Sequence, residues 1–163
     1  MKEIKLTKGY VALVDDEDFE WLSQWKWCAC ENKNTVYALH SFKNYKTGKQ
    51  EMIGMHRFIM GISETYRIDH VDRNGLHNWR ENLRRCSDAD NQHNKNLYKN
   101  NTSGYKGVSY CPYLNKNKPF SAHIGFHNKL INLGYFDSAD EAAKAYDEKA
   151  KELYGDFANL NFT

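Results

Sequence analysis

Residues 66–94 read YRIDHVDRNGLHNWRENLRRCSDADNQHN, and few of their side chains are apolar. YRIDHV alternates, with Tyr66, Ile68 and His70 on one side and Arg67, Asp69 and Val71 on the other. DRNGLHN is turn-rich and carries Asn74-Gly75. ENLRRCS is extended enough for a second strand that includes Asn82. Ser87 with Asp90 three residues on makes an N-cap signature, which opens a polar helix to about Asn96. The order is strand, loop, strand, helix. A core does not need this many aspartates, asparagines and histidines, whereas a hydrolytic site on nucleic acid does.

Residues 1–54 read as a β-rich region. KEIKL and GYVALV flank Lys8-Gly9, a hairpin signal. DDEDFEWLSQW is an acidic start to a short helix, where the helix dipole favours acids, and it reads as a solvated helix start. TVYALHSF and EMIGM are strands about a turn at NYKTGKQ, and MHRFIMG (55–61) is a short helix ending at Gly61. Downstream, residues 97–102 fall in an asparagine-rich linker. YKGVSYC, FSAHIGF and KLINLGYF then form three strands. A helix follows, with Ser138 and Glu141 as capping box, Ala142, Tyr146, Ala150 and Leu153 as apolar stripe, and Gly155 at its end.

The chain has 163 residues, 40% hydrophobic and 14% aromatic, enough for small folded domains. No apolar run approaches membrane-spanning length, and MKEIKLTKGYVALVDDED lacks a secretory apolar region. A soluble, cytoplasmic, non-secreted protein is expected. Cys28, Cys30, Cys86 and Cys111 form no CxxC pair, so no structural zinc is expected. The net charge of +2 hides a local asymmetry. Residues 103–134 hold four lysines and no acids, and residues 135–163 hold three lysines and seven acids. A basic element therefore packs with an acidic one, and an anion-binding face can form on a nearly neutral protein.

Phosphodiester hydrolysis needs an activated water and positive charge at the phosphate and leaving oxygen. A histidine suits the first task, and a carboxylate with a neutral oxygen donor can hold one small divalent cation for the second. YRIDHVDRNGLHNWRENLRRCSDADNQHN resembles the HNH nucleases, above all the phage and intron-associated homing endonucleases with their DH…NG…DN.RENLR…N pattern. The resemblance spans about residues 50–96 and implies a ββα-metal fold. It implies His70 as general base and Asn82 as the residue that orients loop and histidine. It also implies Asp69 and Asn91 as ligands of one Mg²⁺ or Mn²⁺, with His93 and Asn94 near enough to complete the site instead. His77 stands where that family usually has aspartate, Trp79 where arginine is common, and an asparagine closes the pattern in place of histidine. His56 matches a family HR position and reads as a packing or phosphate-contacting residue. Arg84 and Arg85 are read as phosphate contacts, and Cys86 as a small buried residue.

The segment YKGVSYCP…FSAHIGF…INLGYFDSADEAAKAYDEKAKELYGDFANLNF resembles the Apetala-two/ethylene-response-factor DNA-binding domain. That resemblance implies a sheet that enters the major groove, with Lys106, Ser109, Cys111, Tyr113, His123, Gly125 and Asn132 toward DNA. Lys118, with Lys106, Lys116 and Lys129, would meet phosphates. The expected fold class is α+β, in four parts: an N-terminal β-rich region (1–54), an HNH motif (55–96), a linker (97–102), and a three-stranded antiparallel sheet packed on one helix (103–163). The expected function is a metal-dependent homing-type endonuclease on double-stranded DNA, acting as monomer or weak dimer, with no membrane or protein partner. A non-enzymatic DNA-binding regulator is the alternative, and RNA a weaker choice of substrate.

Overall fold

The computed structural model describes residues 1–61, 66–88, 90, 94, 101–113, 116–127 and 129–162. Contacts divide the chain into two units, Met1–Asn91 and Gln92–Thr163. Mixed α+β structure is present in both, as several small sheets and one long C-terminal helix.

The first unit opens with β1 (Lys2–Lys5) and β2 (Val11–Val14), paired antiparallel. Their turn runs through Lys8 and Gly9, both at positive φ. Helix α1 (Asp16–Leu22) follows, with Asp16, Glu17 and Asp18 in its first turn. A second sheet takes β3 (Cys28–Glu31), β4 (Val36–Lys43) and β5 (Gln50–Gly54) in that order. Helix α2 (Met55–Met60) leaves β5 without a break and stops at Gly61, whose φ of 84° ends the helix. Then β6 (Arg67–His70) pairs antiparallel with β7 (Leu83–Cys86).

One core joins these pieces. Ile4, Val14, Leu22, Trp27, Ala38, Met55, Ile59 and Leu83 belong to a single buried cluster. The β-rich N-terminal residues and the strand–loop–strand segment, separate in the sequence reading, therefore share their apolar interior. Two further features differ from that reading. Asn82 lies in a 3₁₀ turn (Arg80–Asn82) ahead of β7, not in the strand. Asp18, in the acidic run, is 2% exposed and receives Arg80 through Nε at 2.9 Å and Nη2 at 2.7 Å. A buried carboxylate needs such a partner, and Arg80 reaches it from far along the chain. The N-cap signature at Ser87 is reciprocal, with Ser87 N donating to Asp90 Oδ2 (3.0 Å) and Asp90 N to Ser87 Oγ (3.2 Å). The helix expected to run on to Asn96 lies mostly outside the described residues.

The second unit holds β8 (Val108–Tyr110), β9 (Phe120–Phe126) and β10 (Lys129–Phe136), antiparallel in the order β10-β9-β8. Helix α3 (Ala139–Tyr154) starts at Ser138, whose side chain accepts from Glu141 N. Val108 and Ala122 pack on Ala142 and Ala143, and Ile124 on Tyr146 and Ala150. Alternation then puts Ser109, Ser121 and His123 on the sheet face away from α3. The tail returns over α3, where the buried Asp147 accepts from the backbone N–H of Asn161 and of Phe162, each at 2.9 Å. Gly107 lets the chain enter β8 against the helix. Its φ is 74°, and a Cβ there would lie 2.0 Å from the Tyr146 ring and 2.7 Å from the His123 carbonyl. Gly107→Ala should destabilise this unit by about 1–3 kcal/mol through overpacking alone. Amide exchange along α3 measures that loss, and unchanged protection would refute the close approach.

Candidate active site

Strand β6 brings Asp69 and His70 into the first unit's interior, at 8% and 4% exposure, from opposite faces of the strand. Asp69 sits across from Arg84 in the register. Arg84 Nε and Nη2 reach Asp69 Oδ2 at 3.1 and 2.8 Å. His70 turns to the loop between the strands, where its Nε2 lies 3.2 Å from Asn78 Oδ1. Asn78 Nδ2 donates to the Gly75 carbonyl at 3.3 Å, so its Oδ1 is the acceptor and His70 Nε2 carries the proton. That tautomer makes Nδ1 the lone-pair nitrogen of His70. Burial pushes the His70 pKa down, against the upward pull of the Asn78 bond and of Asp72 and Asp69. An uncharged imidazole with a fixed tautomer is the resting state of a general base.

Two rings wall His70 in. His56 on α2 lies 5.1 Å away, edge-on at 71°, and Tyr37 on β4 lies 5.9 Å away. Glycines make the room. A Cβ at Gly54 would be 2.5 Å from His56 Cε1, and one at Gly75 would be 2.5 Å from the Val36 carbonyl and 2.6 Å from the Tyr37 ring. Desolvation drives His56 down to about 3 and, with Asp69 nearby, pushes Tyr37 up.

Asn82 orders the loop. Its Nδ2 donates to Asp72 Oδ1 and to the His77 carbonyl, both at 2.9 Å, and its Oδ1 accepts from Asp72 N at 3.0 Å. Its bonds go to the loop; the partner of the histidine ring is Asn78. His77, which stands where the HNH pattern has aspartate, binds Asp72 through Nδ1 at 2.5 Å and Asn74 through Nε2 at 3.0 Å. Burial pushes Asp72 up, but the Asn74 amide, His77 and Asn82 outweigh it and hold its carboxyl below the usual range. The loop is also tied to the N-terminal strands. Leu13 N donates to the Leu76 carbonyl, Asn78 N to the Leu13 carbonyl, and Gly75 N to Thr35 Oγ1.

Of the other residues singled out, Arg85 is exposed with its guanidinium 4.6 Å over the Tyr66 ring. Cys86 is buried, which pushes its thiol up to about 11. Asn91 and His93 lie outside the described residues, and Asn94 is buried in the second unit. Among the described residues no three His, Cys, Asp or Glu side chains gather as a metal cluster would. In the second unit Ser109, His123, Gly125 and Asn132 share the face away from α3, where His123 pairs in register with Asn132. Lys118 is exposed, Tyr113 is 85% exposed in the loop after β8, and Lys106 N is held by Asn161 Oδ1. Sequence reasoning passed over Asn78, although it fills the asparagine of the DN.RENLR pattern. It also missed Tyr37, for which the sequence carries no signal.

No family model and no solved structure matches the chain. It is 32% identical over 99 residues to Protein 3.8 of Escherichia phage T7, a match covering 61% of this chain and 78% of that protein. The chain belongs to the family of Protein 3.8. It is also 29% identical over 161 residues to an uncharacterized HNH endonuclease of Acanthamoeba polyphaga mimivirus, covering 94% of this chain and 76% of that one. A likeness over nearly the whole chain to a protein of that name supports a nuclease. No helix among the described residues is long and apolar enough to cross a membrane.

The imidazole of His56, its Nδ1 sealed from solvent, makes folding acid-sensitive. Its folded pKa, about 3, is below its ordinary value of 6.5, so the unfolded chain binds its proton first. The stability it contributes is complete above pH 6.5 and is lost as pH falls toward 3. The slope is about 1.4 kcal/mol per pH unit for one proton. His56→Phe should flatten the stability curve between those limits, as read by urea unfolding at a series of pH values. Parallel curves would show that the ring is not buried neutral.

Proposed function

We propose that this chain is a metal-dependent, site-directed DNA endonuclease of the homing type. The observation that carries the reading is the His70–Asn78 hydrogen bond, which turns a histidine next to a buried carboxylate into a base of defined tautomer. In the proposed reaction, water attacks the phosphorus and gives its proton to His70 Nδ1. The bond from phosphorus to the leaving 3′-oxygen breaks, and that oxygen is protonated from solvent. Asn78 holds the ring through this step, and Asn82 holds the loop that carries Asn78.

A divalent cation is implied by the HNH resemblance. Asp69 is a hard oxygen donor of the kind Mg²⁺ or Mn²⁺ takes, and Arg84 supplies positive charge beside it. The second donor, Asn91, is outside the described residues. On this reading Asp69 and Asn91 hold the metal, which supplies charge stabilisation at the phosphate and leaving oxygen. Arg85, Tyr113 in the loop after β8, and the sheet face of the second unit, including His123 and Asn132, meet double-stranded DNA. The connection between units raises the effective concentration of the nuclease at a bound site. The regulator reading draws on one observation: the Asp69 carboxylate is already neutralised by Arg84.

The test is incubation of the protein with phage and host genomic DNA plus Mn²⁺, with new ends mapped by sequencing. Discrete ends are expected. His70→Ala should lower cleavage by about 10²–10⁴-fold, the worth of a general base, while shift assays show DNA still bound. Asn78→Ala should lower the rate without weakening binding. Retained cleavage by His70→Ala overturns the mechanism, and bound but uncut DNA with the wild type favours the regulator.

A further inference from the structure

One titratable ring beside His70 takes no part in the proposed proton transfer. His56 is the second residue of α2, half-buried, with its ring folded back over Gly54 and edge-on to His70 at 5.1 Å. Its Nδ1 is sealed from solvent with no hydrogen-bond partner, and no other buried side-chain nitrogen or oxygen among the described residues is in that condition. Leaving a buried polar atom unpaired costs free energy, and native proteins rarely do so without a use for the group. A phenyl ring would fill the same space above Gly54 with no such cost, so packing does not account for an imidazole here.

The two ring nitrogens differ in what they can do. A buried N–H without an acceptor is rarer than a buried lone pair without a donor. The proton therefore belongs on Nε2, the nitrogen that is not sealed off. Burial, His70 and Arg57 all keep the ring uncharged. Edge-on to the His70 ring there is thus a neutral ring whose remaining hydrogen-bond capacity is a donor.

We propose that His56 is a substrate-contacting residue of this site, its Nε2–H donating a hydrogen bond to a non-bridging oxygen of the phosphate whose attacking water is deprotonated by His70. The inference rests on the nuclease reading of the preceding subsection. A neutral donor suits the position, because a second cation there would stabilise the lone-pair form of His70 at the expense of the protonated form the step must produce. The contact strengthens as charge builds on the phosphate oxygens, so it acts on turnover more than on binding.

The experiment uses the full chain with Mn²⁺ and a DNA fragment carrying a mapped cut site, and compares wild type, His70→Ala, His56→Phe, His56→Gln and His56→Ala. Phenylalanine keeps the ring and removes the donor, while glutamine presents an amide N–H at the reach of Nε2. Loss of one oxyanion donor is worth about 10²–10³-fold in kcat, so Phe and Ala should fall by about that factor with KM little changed, and Gln should recover most of the loss. Thermal unfolding of the Phe variant at pH 7, at or above the wild-type midpoint, separates a lost contact from a lost fold. Wild-type kcat in His56→Phe overturns the proposal and leaves the nuclease reading intact. Loss in Ala alone, or Gln no better than Phe, reduces His56 to packing and overturns it as well. A wild type that makes no ends removes the nuclease reading, and the proposal with it.

Discussion

Asn78 is the constraint on which the candidate site depends. It is wholly buried, and each of its polar groups is committed to a different part of the first unit. Its backbone N–H goes to Leu13 in β2, its side-chain amide to the Gly75 carbonyl in the loop, and its side-chain oxygen to His70 in β6. A buried amide with three fixed partners cannot rotate without leaving at least one of them unpaired. Strand, loop and histidine are thereby set against each other to within a hydrogen-bond length. That is the tolerance a proton-transfer group needs. The glycines serve the same end from the other side, since Gly75 and Gly54 admit the Tyr37 and His56 rings that wall the imidazole in.

Seen this way, the N-terminal strands are the support of the loop. Leu13 bonds to the loop on both sides of His77, and Thr35 bonds to its glycine. Asp15 accepts from Arg80 N at 2.8 Å, and Asp18 takes the Arg80 guanidinium. Those of Leu13, Asp15 and Asp18 join residues more than sixty positions apart. They explain why the β-rich region and the strand–loop–strand segment share one core instead of forming two. A loop of this length, with so few apolar side chains, could not hold an asparagine in register by its own hydrogen bonds. Arg84 plays the matching part for Asp69, giving a buried carboxylate its positive partner.

What was legible in the sequence was local. The β1–β2 hairpin, α1, α2, β6, β7 and the reciprocal Ser87–Asp90 cap follow from alternation, helical spacing and turn chemistry within a few residues, as does α3 with its Ser138 cap. The DH and REN residues stood out because their types are wrong for a core. What was hidden was long-range. Asp18 reads as one more acid in a solvated helix start until Arg80 is brought to it. Strand β3, CACE, is too short and too small in its side chains to show a period. Asn82 looks like a strand residue because the 3₁₀ turn that holds it is fixed by partners at Asp72 and His77. The orphaned nitrogen of His56 follows from the packing of three elements, and no spacing encodes it.

The second unit carries its charge in a way that bears on how it could meet a polyanion. On the sheet face away from α3 the side chains include Ser109, Ser121, His123, Leu130, Asn132 and Tyr135, with no arginine or lysine among them. Lys116, Lys118 and Lys129 are exposed in or beside the turns at the sheet's margin. Bidentate guanine contacts need a guanidinium or ammonium at the groove floor, and a face of this composition cannot make many of them. Contacts from its margin to phosphates are insensitive to sequence and weaken steeply with salt. The sequence information such a face can read is what short polar side chains extract from base edges, together with the shape of the duplex. On the nuclease reading, discrimination between sites would then be shared between this sheet and the active-site unit.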